Sequence, residues 1–192
     1  MIRLQVIFLG LFLLLSPFAV TPYAAAAAPE NVTLKVSEVE NNYVLSVPIS
    51  KLVMLLPKGN LIQKQNAVGG STASPRYFYF QDKGRTLMVS GWFESSINYS
   101  DFNKYWNEDK DSWRSRNLPT PTNAKFFKVG GWEGVVYDLP FPKGENSHIR
   151  AHWLQAGTWI DLHLSLTSES RNSRSREELL ELLNSIQVKQ RP

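Results

Sequence analysis

Ser147-His148-Ile149-Arg150-Ala151-His152-Trp153-Leu154-Gln155-Ala156-Gly157-Thr158-Trp159-Ile160-Asp161-Leu162-His163-Leu164-Ser165-Leu166-Thr167 is the stretch whose reading decides the fold. Polar and apolar residues alternate on both sides of Ala156-Gly157, the period of a half-buried strand. A two-residue turn there makes a β-hairpin in which Gln155 pairs with Thr158. His152 then lies opposite Asp161, and Arg150 opposite His163. One face carries His148, Arg150, His152, Leu154, Trp159, Asp161, His163 and Ser165. The other carries Ile149, Ala151, Trp153, Ile160, Leu162 and Leu164, a core face. A slip of one residue would expose that apolar set, so the register is strongly specified.

The same logic extends outward. Tyr77–Phe80 and Arg85–Ser95 form a hairpin across Asp82-Lys83-Gly84, and Ala124–Val129 and Trp132–Leu139 form another around Gly130-Gly131, which suits a type I′ turn. Upstream, Val32-Leu34-Val36 and Tyr43-Leu45-Val47 alternate with polar residues on either side of Glu40-Asn41-Asn42. The apolar run Lys51–Leu56 stops at the turn Pro57-Lys58-Gly59-Asn60. Ala67–Pro75, rich in Gly, Ser and Thr, reads as a mobile hairpin loop. Ser100 can cap a helix running through Trp113, with Phe102, Tyr105, Trp106, Asp109 and Trp113 on one stripe. Ser175-Arg176-Glu177-Glu178 is a capping box opening a closing helix, whose buried stripe is Leu179, Leu182, Leu183 and Ile186. Strands, a helix, more strands and a final helix predict an α+β domain with a mainly antiparallel sheet.

The N-terminus predicts export. Arg3 precedes an apolar run from Leu4 to Leu15, then Ser16-Pro17 and the alanine tract Ala24–Ala28, the three-part logic of a cleavable signal peptide. A dozen apolar residues are short of the ~20 that span a bilayer. The expectation is a signal peptide over residues 1–26, cut near Ala26, and one globular domain over 27–192, delivered to the periplasm or secreted. Retention of the leader as an anchor is the alternative. The 192 residues include no cysteine, so there is no thiol to lipidate and no disulfide to staple the core. Without Arg3, twenty basic side chains face seventeen acidic ones, too even a balance for a nucleic-acid partner.

Four stretches carry a family resemblance: Tyr43-Val44-Leu45-Ser46-Val47-Pro48, Leu87-Met88-Val89-Ser90-Gly91, Gly134-Val135-Val136-Tyr137 and Leu182-Leu183-Asn184-Ser185-Ile186-Gln187-Val188. In these the chain resembles the PsbP-like domain family over nearly its whole mature length. The resemblance implies an α/β/α sandwich around an antiparallel sheet. It also implies a non-enzymatic role, since family members are mostly photosystem extrinsic subunits, bacterial envelope proteins and nuclear import factors. No catalytic motif comes with it.

The polar hairpin face is the candidate site. Directly opposed Cβ atoms are about 5 Å apart, close enough for a His152–Asp161 hydrogen bond. His152, Asp161 and His163 form a candidate two-histidine, one-carboxylate metal set, with Arg150 as a competitor for the carboxylate. His148 and His152, about 13 Å apart along the strand, cannot share an ion. The favoured reading is instead a sheet face of paired charges and histidines, under a helix or in solvent. Ser165, His163 and Asp161 follow one another along a single strand, without a nucleophile elbow or an oxyanion hole for a hydrolase. Trp132, beside Gly131, and Trp159, on the polar face, are candidates for a groove that takes a sugar or a partner. Trp153 reads as core, and Arg171–Arg176 as a solvated loop. The expectation is an envelope binding or accessory module that meets another envelope protein or a glycan and needs no cofactor. The alternative is a metal- or ligand-binding protein, or enzyme, centred on Arg150, His152, Asp161 and His163.

Overall fold

The computed structural model describes residues 32–64, 76–142, 144–169 and 174–191. The leader and its cut, the loop at Ala67–Pro75 and residues 171–173 of the basic run lie outside these. Eleven strands and two α-helices are described: β1 (Lys35–Val39), β2 (Asn42–Ser46), β3 (Leu52–Pro57), β4 (Leu61–Gln63), β5 (Tyr77–Asp82), β6 (Leu87–Ser95), α1 (Phe102–Ser115), β7 (Thr122–Val129), β8 (Trp132–Leu139), β9 (Glu145–Gln155), β10 (Thr158–Ser168), α2 (Ser175–Ser185) and β11 (Gln187–Gln190). All pairings are antiparallel, so the α+β class is shown. The strands divide between two sheets, ordered β1-β2-β3-β11 and β4-β5-β6-β10-β9-β8-β7. Among the described residues, no helix is long and apolar enough to cross a membrane.

The β9–β10 hairpin sits at the middle of the seven-stranded sheet, in the register its pattern predicts: Gln155 opposite Thr158, His152 opposite Asp161, Arg150 opposite His163. Ala156 and Gly157 both have positive φ, 50° and 77°, as a type I′ turn requires. The Gly130-Gly131 turn differs from its expected type. Only Gly130 has positive φ, the pattern of type II′.

Strand alternation separates two cores. Ile149, Ala151, Ile160, Leu162 and Leu164 face Leu179 and Leu183 of α2 and Leu45, Leu52, Met54 and Leu56 of the small sheet, forming the main core. On the opposite face, α1 closes a smaller cluster of Phe102, Trp106, Val135 and Tyr137. The helices therefore lie on opposite sides of the large sheet, and the small sheet shares a side with α2.

Three local readings change. The N-cap of α1 is Asp101, whose Oδ1 accepts from the Lys104 amide at 2.7 Å, not Ser100. Asp competes well for that position, and the helix runs two residues beyond Trp113. The cap of α2 is Arg174, one residue before the Ser175 of the expected capping box. Arg176 is not solvated: it forms a bidentate pair with Asp138, at 3.0 and 2.7 Å, pinning α2 to β8. Burial opposes the Asp138 charge, but Arg176, Asn123 and Ser147 outweigh it and hold its carboxyl below the usual range.

Gly91 of β6 lies against β10, and a Cβ there would meet the Asp161 carbonyl oxygen at 2.0 Å and the Phe78 ring at 2.8 Å. Gly91→Ala is therefore expected to cost about 1–3 kcal/mol, read from the urea midpoint. An unchanged midpoint would mean that β6 and β10 do not approach this closely.

Candidate functional site

Beneath α1, the polar face of β9 and β10 is an enclosed polar layer rather than a solvent surface. Arg150 donates from Nη2 to Asp161 Oδ2 at 2.9 Å, and their side chains are 13% and 3% exposed. Tyr105, one turn into α1, donates from its hydroxyl to the same Asp161 oxygen at 3.1 Å and accepts from Arg150. The guanidinium also lies 5.3 Å from the Tyr105 ring centroid and 5.4 Å from that of Trp92. One ion pair thus joins β9, β10 and α1. Burial alone would raise the Asp161 pKa, but Arg150, with help from His152 and Tyr105, holds it below the carboxylate range. Burial works against the Arg150 charge as well, and Asp161 more than restores it.

His152 occupies the pocket next to this pair. Its Nε2 stands 3.5 Å from Asp161 Oδ1, long for a hydrogen bond, and its Nδ1 meets the Tyr99 hydroxyl at 3.1 Å. The rings of Phe102, Tyr105 and Trp159 surround it at 4.8, 4.4 and 5.0 Å, edge-on. Burial lowers the His152 pKa and Asp161 offsets part of that. Burial likewise drives the Tyr99 phenol up to about 12, with the charges of Glu133, Asp101 and Asp161 adding to it. His152 is therefore neutral at pH 7 and Tyr99 is not a phenolate.

His163 belongs to a different group. Its Nε2 lies 3.0 Å from His148 Nδ1, and the two rings stack at 5.3 Å, with Tyr137 stacked on His148 at 5.1 Å. Burial takes His148 down to about 4. It takes His163 to about 3, with the Arg150 charge pushing the same way. A neutral pair sharing one N–H between two nitrogens accounts for the 3.0 Å contact.

The expected metal set is therefore split: His152 turns to Asp161 and Tyr99, while His163 turns to His148. Among the described residues, no three His, Cys, Asp or Glu side chains are grouped to hold a metal ion. Ser165 is buried opposite His148, and His163 is committed to His148, so the row Ser165, His163, Asp161 is not a proton relay. Trp132 and Trp159 do not share a groove. Trp132 faces the main core, 3% exposed and 5.3 Å from the Trp153 ring, so its place on a partner surface is corrected. Trp153 is only partly buried. Its ring covers Gly131, where a Cβ would meet it at 2.5 Å. Trp159 stays on the polar face, half-buried and packed on Tyr99 and Tyr105 at 5.1 and 5.6 Å.

Four residues that the pattern places on strands, a helix or a turn, but not in the candidate site, belong to it or extend it: Tyr99, Tyr105, Tyr77 and Tyr79. Tyr105 was on the expected helix stripe, and only its role in the ion pair went unread. Tyr77 and Tyr79 continue the same sheet face onto β5, beside Ser90 and Trp92 of β6. All four are half-buried. Tyr77 and Trp92 meet edge-to-face at 5.5 Å, and the Tyr79 hydroxyl donates to Met88 Sδ at 3.2 Å. Elsewhere, a pocket of about 140 Å³ is lined by Val47, Ser50 and Phe93 among others, without any of the expected site residues.

No family profile matches the chain, and no curated protein matches it. A crystal structure of a protein from Bacteroides thetaiotaomicron is similar at a TM-score of 0.43 and 11% identity, over 73% of this chain and 46% of that one. The chain spans less than half the length of that protein.

Asp161→Ala leaves Arg150 charged and unpaired in the layer, at an expected cost of about 3–5 kcal/mol. The double variant Arg150→Met/Asp161→Leu should recover most of it in chemical denaturation. Equal losses in the single and double variants would show that the pair is not coupled.

Proposed function

We propose that the chain is an exported, non-enzymatic binding or accessory protein of the cell envelope, with a PsbP-like domain, that meets its partner through the open part of the α1-side sheet face. The supporting observation is how that face is divided. α1 rests on β7 to β10 through Phe102, Tyr105 and Trp106, while Tyr77, Tyr79, Ser90 and Trp92 on β5 and β6 stay half-exposed. Aromatic rings beside hydroxyls suit a protein surface or the faces of a sugar. The charged groups next door pair through Arg150 Nη2 and Asp161 Oδ2, and we read them as a brace for α1. The leader-like N-terminus and the family resemblance support the envelope as the place of action.

Two measurements test this. N-terminal sequencing of the protein recovered from the periplasmic or secreted fraction should find a start near Ala27, and an intact Met1 in the cytoplasm contradicts export. Tyr79→Ala combined with Ser90→Glu should weaken binding to envelope proteins captured by in-cell cross-linking, or to envelope glycans, at least tenfold with the thermal midpoint nearly unchanged. Unaltered binding contradicts this choice of surface.

A further inference from the structure

All three histidines of the protein lie on the one sheet face that α1 covers, and the core that holds α1 there is separate from the main core. We infer that this histidine layer is an acid-operated latch: its protonation lifts α1 off the sheet while the two sheets and α2 stay folded, uncovering a second apolar and aromatic surface around Val135 and Tyr137. The inference stands apart from the proposed partner surface on β5 and β6, and either can fail alone.

The geometry carries it. Of the 14 residues of α1, only Phe102 and Trp106 are buried. The helix is held by these rings, by the half-buried Trp113 and by Tyr105 on the Arg150–Asp161 pair. Phe102 and Tyr105 close directly on His152. Trp106 and Trp113 close on Tyr137 at 5.0 and 5.7 Å, and Tyr137 is stacked on His148, which is bonded to His163. Each histidine is thus under the helix, or one ring away from a residue that is.

A proton has a poor place on His148 and His163 while α1 is down. His152 faces Tyr99 from the preceding turn, Tyr105 and Asp109 from α1, Glu133 from β8, Arg150 from β9 and Asp161 from β10. It also lies at the N-terminal end of α1, where a cation opposes the helix dipole. His148 faces Tyr137 and, farther off, Asp138 of β8. His163 faces His148, Arg150 and Asp161, and its neighbour on β6 is the uncharged Ser90. Asp161 gives Oδ2 to Arg150 and Tyr105, but its Oδ1, without a hydrogen-bond partner, stands 3.5 Å from His152 Nε2, so the latch rests on His148 and His163 rather than on His152. Burial also raises the Asp109 pKa, so acid removes one negative neighbour as it adds positive ones.

The sign follows from linkage. The closed form holds its histidines well below their ordinary 6.5, at about 4 for His148 and about 3 for His163. Closure is therefore fully favoured above pH 6.5 and loses ground as the pH falls from there toward 4. Two protons taken up on opening raise the open population roughly 100-fold per pH unit within that window.

The absence of cysteine makes the test direct. Val135→Cys places a thiol in the cluster under α1, and Val136→Cys, the next residue, places one in the main core. Labelling by 4,4′-dithiodipyridine is followed from pH 7.5 to 4.5 and normalised to a free thiol peptide at each pH. The expected result is a steep rise below pH 6.5 for Val135→Cys alone, lost in a His148→Asn/His163→Asn background. A flat profile for Val135→Cys overturns the latch. Equal rises at both positions show global unfolding and overturn it too, so the outcome does not depend on whether the histidine variant folds.

Discussion

The Arg150–Asp161 ion pair is the interaction on which the α1 side of the protein depends. It sits at the centre of the seven-stranded sheet, on the face away from the main core, where two charges would be costly to bury without each other. Each partner keeps the other ionised, and Tyr105 fastens the pair to the helix above. Removing Arg150 or Asp161 leaves the other as a buried charge without its ion-pair partner, and removing Tyr105 unfastens the pair from α1. That arrangement explains why a sheet with one apolar face tolerates so polar a second face under a helix.

The consequence is a molecule with two unequal halves. The main core joins both sheets and α2 through aliphatic and aromatic side chains, with no histidine or carboxylate among the buried residues of its cluster. The α1 half is aromatic, histidine-rich and held by a few contacts, the composition of a region that opens at lower free energy than the whole. Neutral histidines, a committed carboxylate and an unreactive phenol at Tyr99 describe a brace. The half-buried row of Tyr77, Tyr79, Ser90 and Trp92, where the sheet continues past the helix, is the surface we propose for a partner.

The central hairpin was legible in the sequence because two independent constraints agreed. Ala156-Gly157 fixes a two-residue turn, and the strict alternation from Ile149 to Leu164 permits only one register, so the pairing of His152 with Asp161 followed from pattern alone. The stripe of α1 was legible for the same reason. Which ring partners a side chain chooses was not. His163 has Asp161 two residues away on its own strand and His148 diagonally across on β9, and the pattern alone does not choose between them. Trp132 was misplaced because its strand begins at a glycine turn, where alternation had not yet shown which face comes first. β4 and β11, at three and four residues, are too short to show a period, so the division into two sheets was invisible. The choice of Asp101 over Ser100 as cap turned on a single residue between two good candidates.

At pH 7, α1 covers His152, and the His148–His163 pair beside it is neutral. Side-chain 15N NMR of the three histidines through a pH titration tests it most directly. His148 and His163 should stay neutral in the closed protein and show no ordinary titration centred near 6.5. A midpoint near 6.5 for either, with α1 still docked, would contradict it.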